Sequence, residues 1–288
     1  MIEVLLEPFT EFAFMRRALV GSLAISMTAP PIGVFLMLRR MSLMGVAMGH
    51  AILPGAAIGY LLAGLSLFAM SLGGFAAGLA VALAAGLVAR SRVIREDASL
   101  AGFYLLSLAL GVFLVSVHGT NVDLLHVLFG SVLALDDAAL LLVAGIATVS
   151  LITLAAIYRP LVLECFDPYY LRSVSRWSSP THLIFLVLVV LNLVAGFQAL
   201  GTLMAVGIML LPAVSSRFWA DSVGGMIAVA VIAAFLSSMA GLLISYHYSV
   251  PTGPTVILAC GTFYLFSMLA GRRGGAIWGL MPRRHLEA

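Results

Sequence analysis

Apolar residues fall along this chain in long runs separated by short polar turns. About nine runs read as helical spans, roughly 13–38, 48–66, 68–89, 98–117, 138–158, 181–199, 201–215, 225–245 and 254–271. Most lie near the length of about 20 residues at which a helix crosses a hydrocarbon core of roughly 30 Å. None shows the apolar–polar alternation of a membrane β-strand. The pattern predicts an all-α polytopic membrane protein with about nine transmembrane helices. The seventh run is short, and as a tilted or half-buried helix it leaves eight as the alternative count. Pro30 and Pro31 inside the first run predict a kink or break. Gly55 with Gly59, and Gly74 with Gly78, predict close helix approach through small residues four apart.

Composition strengthens this picture. Of 288 residues, 62% are hydrophobic and 9% charged, against about a quarter charged in a soluble domain. The chain reads as one transmembrane domain over residues 1–288, in contact with lipid and with no nucleic-acid partner. All fifteen basic residues are arginine, and the absence of lysine excludes the P-loop, whose lysine reaches the nucleotide phosphates. Neither HExxH nor GxSxG occurs, so the chain is not expected to be an enzyme. Cys165 and Cys260 are too few and too far apart for a disulfide framework or thiolate site. The start, MIEVLLEPFTEF, is acidic and does not read as a cleavable signal.

The arginines set an orientation. Arg39 and Arg40 follow the first run; Arg90, Arg92 and Arg95 follow the third. Arg159, Arg172 and Arg176 follow the fifth, Arg217 the seventh, and Arg272, Arg273, Arg283 and Arg284 the ninth. With nine spans all share one side, which the positive-inside rule makes cytoplasmic. The C-terminus is then cytoplasmic and the N-terminus outside. Arg16 and Arg17 are the exception, and arginine at a helix end snorkels to headgroups.

Two polar segments stand between runs. The outer one, residues 118–137, carries His118, Asp123, His126, Asp136 and Asp137. The inner one, about 159–180, presents Phe166, Tyr169 and Tyr170 to a partner if it folds as an amphipathic helix. Polar groups inside a membrane cost roughly 2.5–3.5 kcal/mol for a charge at mid-helix, so each is a functional candidate. Candidates here are His50 at the start of the second run, Asn192 and Gln198 in the sixth, and His247 near the outer end of the eighth. Asp123 and His126, three apart, share a face if their segment is helical. Imidazole suits zinc and other first-row metals. The competing reading is a histidine that only bonds a backbone carbonyl, and His182 and His285 at the inner surface are assigned to it. The spans lack the buried carboxylates of proton- or sodium-coupled carriers, which points to an outside energy source.

Five ordered stretches resemble the permease subunits of bacterial zinc and manganese ABC importers: GVFLMLRRMSLMG with GHAILPG, DLLHVLFGSVLAL, FDPYYLRSV, GTLMAVGIMLLPAVSSRFW and SYHYSVPTGPTVIL. The resemblance implies the ABC importer permease fold and a multi-pass place in the bacterial cytoplasmic (inner) membrane. It implies a homodimer with the pathway between subunits, cytoplasmic ATPase subunits that bind the ATP, and a periplasmic or surface-tethered metal-binding protein. No cofactor is bound permanently; a zinc or manganese ion is cargo. His50 is implied as an intramembrane metal ligand, with His247, His126, His118 and Asp123 as candidates for the rest. Glu164, Phe166, Asp167, Pro168 and Tyr169 are implied as the ATPase-coupling residues. The family pattern has an aspartate one turn before the histidine, where this chain has Val46. With fewer hard oxygen ligands, the expectation is zinc over manganese. Rival readings are manganese or iron in the same family, a permease for a chelated metal such as a siderophore or corrinoid, and a stand-alone secondary transporter.

Overall fold

The computed structural model describes residues 2–64, 66–90, 96–117, 135–167 and 178–277 of the chain. These residues form helices and short turns, with no strand among them. Eleven helices follow in order: α1 Ile2–Glu11, α2 Ala13–Leu38, α3 Ser42–Ala51, α4 Leu53–Ala63, α5 Leu67–Arg90, α6 Glu96–Val117, α7 Asp137–Phe166, α8 Ser178–Leu200, α9 Thr202–Ser216, α10 Val223–Tyr248 and α11 Thr252–Ala270. Backbone polar groups in a hydrocarbon layer must pair internally, and helices achieve this within one segment. Seven segments are long and apolar enough to cross a membrane, with α3 and α4 together making one, Ser42–Ala63; Ala98–Leu114 and Leu203–Ser216 are shorter apolar helices. Seven spans and two shorter apolar helices among the described residues are roughly consistent with the eight or nine expected.

Helix ends carry local signals. Asp136 Oδ1 accepts the Ala139 N–H at the start of α7, and Ser222 Oγ accepts the Gly225 N–H at the start of α10, both N-caps. Ser249, left-handed at φ 53°, ends α10.

Contacts between helix ends fix relative directions. Arg17 meets Asp137 at the starts of α2 and α7, and Arg39 meets Glu164 near their ends. The two helices therefore run parallel. Phe12, preceding α2, packs on Tyr246 near the end of α10, with ring centroids 5.8 Å apart. An even-numbered crossing should be antiparallel in this way. Trp219, past the end of α9, donates from Nε1 to Ser267 Oγ near the end of α11, at 2.9 Å.

The core is built around α2, which packs on α7, α8, α9 and α10. Phe35 lies edge-on to both Tyr158 and Phe185. Helix approach is closest at two glycines. A Cβ at Gly33 would lie 1.8 Å from the Met209 carbonyl oxygen, and one at Gly55 would lie 2.0 Å from that of Gly73. Gly55 and Gly59 face α5, and Gly74 and Gly78 face Ile52 and Val190. Their small-residue spacing serves packing within one chain.

Three expectations change. The first span does not break: α2 runs on through Pro30 and Pro31, both buried. Neighbouring helices hold that stretch in place, which is how proline is tolerated in membrane helices. The interruption falls in the second span at Ile52, just before Pro54 in the first turn of α4, where a missing N–H costs little. The second span also starts earlier, at Ser42 rather than near residue 48. Finally, α7 continues past Arg159 and Pro160 to Phe166, so residues 159–166 of the expected inner segment belong to the fifth span.

Candidate functional site

The earlier start of α3 changes where His50 lies. It is the ninth of the 22 residues in Ser42–Ala63, hence near the middle of a crossing. Two glycines seat this helix: a Cβ at Gly45 would lie 2.8 Å from Met209 Cε, and one at Gly49 would lie 2.8 Å from Val206 Cγ2. This face lies flush on α9. Behind it, Ser107 Oγ of α6 donates to the Ala51 carbonyl at 3.0 Å, and Gly111 backs onto Pro54. The break between α3 and α4 is thus held from the α6 side.

The His50 ring is partly buried, tilted against the Tyr104 ring at 6.2 Å between centroids. Its Nδ1 is buried and has no hydrogen-bond partner among the described residues. A buried polar atom left unpaired costs about 1–3 kcal/mol, so the backbone-bonding reading does not account for Nδ1. Val46, one turn before, is 40% exposed and turned away from the core.

His247 is exposed at the C-terminal end of α10. Its Nδ1 lies 2.9 Å from the Leu243 carbonyl. A carbonyl only accepts, so Nδ1 carries the proton and the neutral ring has its Nε2 lone pair unprotonated. That tautomer is the one a metal ligand needs.

No group of three or more His, Cys, Asp and Glu placed to hold a metal ion occurs among the described residues. His118, Asp123 and His126 lie outside the described residues, as do Pro168 and Tyr169. Of the other inner candidates, Phe166 is 72% exposed and Asp167 is exposed. Glu164 differs from them: its side chain is 7% exposed and faces inward to Arg39, which puts a buried carboxylate, paired with arginine, in a span where none was expected.

Arg39 and His182 were not candidates on sequence, yet both meet Glu164. Arg39 Nη2 donates to Glu164 Oε1 at 3.1 Å and also to His182 Nδ1. Because Nδ1 accepts from arginine, its 3.8 Å approach to the carboxylate is a packing contact rather than an ion pair. A signal for Glu164 existed. The buried stripe Ser150, Leu154, Ile157, Leu161, Glu164 steps by four and three residues along α7, and Glu164 completes it.

An all-helical bundle with seven membrane-length apolar spans among the described residues, and a histidine near the middle of one, defines a polytopic membrane protein. The chain belongs to the ABC 3 transport family, whose model matches residues 11–271. It is 32% identical over 267 residues to "Manganese import system permease protein ScaB" of Streptococcus parasanguinis, covering 93% of this chain and 94% of that one. It is 30% identical to "Manganese transport system membrane protein MntC" of Halalkalibacterium halodurans, covering 92% and 90%. Among solved structures it resembles "PsaBC from Streptococcus pneumoniae in complex with Fab", with a TM-score of 0.85, 28% identity, and coverage of 96% and 99%.

Proposed function

We propose that this chain is the permease subunit of an ATP-driven importer for a divalent first-row transition metal. Full-length similarity to permeases named for manganese import supports the cargo class. The observation that carries the site is His50, a mid-span imidazole whose buried Nδ1 has no partner among the described residues. An imidazole on a broken helix meets the requirement of a transit site, which must admit an ion and release it. His247 is a second ligand at the outer end, and His118, Asp123 and His126 supply further outer donors. The whole chain acts as one transmembrane domain in a homodimer in the bacterial cytoplasmic membrane, with its C-terminus inside. ATP is hydrolysed on separate subunits docked at residues 164–169, and a metal-binding protein delivers the ion. ATPase closure then drives alternating access.

Zinc is the cargo that the donor set favours, since Val46 stands where a hard oxygen ligand would help manganese. Manganese is the second reading, favoured by the names of the relatives.

Reconstitution with the cognate ATPase tests the site. Zinc-stimulated ATP hydrolysis and uptake should fall at least about tenfold in His50→Ala, since losing 1.4 kcal/mol of binding is a factor of ten. Unchanged uptake would remove His50 from the pathway. The same vesicles decide the metal: the parent should move zinc faster than manganese, and Val46→Asp should raise manganese relative to zinc. A parent that prefers manganese would overturn the zinc reading and leave the second standing.

A further inference from the structure

Glu164 stands two residues before α7 ends at Phe166, and His182 lies in the second turn of α8, after residues 168–177. Both accept from the same guanidinium, that of Arg39. The two ends of the inner segment are therefore tied to one side chain. That guanidinium is itself fixed: it lies over the Phe185 ring at 5.2 Å, and its side chain is 11% exposed. Arginine suits this position because one of its nitrogens, Nη2, serves both acceptors while the planar guanidinium stacks on a ring.

The other side of the clamp leads to His50. Arg39 ends α2, and only Arg40 and Met41 separate it from α3. This joint is stiff. The Met41 N–H reaches back to the Leu36 carbonyl at 2.8 Å, and the Arg40 N–H to that of Met37 at 3.0 Å. With Arg40 left-handed at φ 59°, these bonds form a Schellman motif closed without glycine. A displacement arriving at Arg39 passes into α3 instead of being absorbed at a loose turn. Packing against α9 through Gly45 and Gly49 then carries the helix, and His50 with it, as a unit.

We infer that Arg39 is a positioning residue for energy coupling: it links both ends of the inner segment to the helix that carries His50, so that movement of the one re-sets the other. This rests on the importer reading, in which ATPase subunits engage that segment. Breaking the clamp should separate ATP hydrolysis from transport without preventing assembly.

The test uses the full complex of permease, ATPase and binding protein in proteoliposomes, with zinc and manganese as probes. Arg39→Lys keeps the charge opposite Glu164, so it should fold, but it lacks the planar guanidinium that stacks on Phe185 while reaching both acceptors; Arg39→Gln removes the charge as well. Metal moved per ATP hydrolysed should fall at least tenfold in both, while hydrolysis per assembled complex stays within about twofold of the parent. A ratio equal to the parent's, or hydrolysis and transport falling in parallel, would overturn the inference. If the parent moved neither metal, the importer reading would fail by itself, and a distance measurement would decide the clamp. Spin labels at Leu43→Cys on α3 and Gly224→Cys on α10, with Cys165 and Cys260 replaced by alanine, should shift between nucleotide-free and ATP–vanadate states. The inference stands if Arg39→Lys abolishes that shift and falls if the shift persists.

Discussion

Gly33→Ala should be among the most damaging single-methyl changes in this protein, lowering the detergent-solubilised melting temperature by roughly 6–12 °C. The added Cβ would sit 1.8 Å from the Met209 oxygen and 2.8 Å from its carbonyl carbon, with Ala213 Cβ at 3.1 Å beyond. The obstacle is the α9 backbone, so no rotamer change relieves it. Carbon–oxygen contacts settle near 3.3–3.6 Å, so α2 and α9 must separate by about 1.5 Å. A radial gap of 0.5–1 Å already forfeits a quarter to a half of a dispersion contact, and this gap would open along the whole interface. Overpacking costs typically 1–3 kcal/mol, and this case belongs at or above the upper end. At roughly 2–4 °C per kcal/mol the melting shift follows. Transport should fall too, because α9 also seats α3 through Val206 and Met209. Gly145→Ala, which meets nothing within 4 Å, is the control and should melt like the parent. A Gly33→Ala protein melting within 2 °C of the parent would refute the close α2–α9 approach.

Glu164→Leu should cost about 3–5 kcal/mol, the penalty for stranding one member of a buried ion pair. The exposures of Arg39 and Glu164, 11% and 7%, leave little solvent to screen the orphaned guanidinium, and its remaining contacts to His182 and Phe185 do not neutralise it. Arg39→Met combined with Glu164→Leu should be much milder, since replacing a buried pair by apolar residues is often neutral or stabilising. A double-mutant cycle on unfolding in detergent reads the difference as a coupling energy. Additive losses would show that the two residues do not act as a pair. The double variant also separates stability from coupling: it should recover the melting temperature while metal moved per ATP stays low.

The residues that define these effects differ in how legible they are. The apolar spans can be read from the chain because a hydrocarbon core demands about 20 apolar residues per helix. His50 is legible as an oddity, an imidazole among methionines, glycines and alanines. Its depth is not, because that depends on α3 starting at Ser42, which follows from the Schellman joint after Arg39. Pro30 and Pro31 misread as a break for a related reason: proline's local cost is visible in sequence, whereas the four helices packed around α2 are not. Glu164 sits between legible and hidden. Its place in a buried stripe is periodic, yet Arg159 and Pro160 resemble the end of a span.

What the amino-acid order determined by itself is whatever depends on spacing along one segment: the membrane-spanning character, the approximate number of apolar spans, the missing P-loop, and the His50 and Val46 pattern. What only the tertiary structure decided is whatever depends on residues far apart in sequence. Arg39 and Glu164 are 125 positions apart, and Arg39 and His182 are 143 apart. Periodicity carries no information at that range. Those side chains meet because antiparallel and parallel packing of α2, α7 and α8 brings three helix ends to one level, where burying one charge requires another beside it.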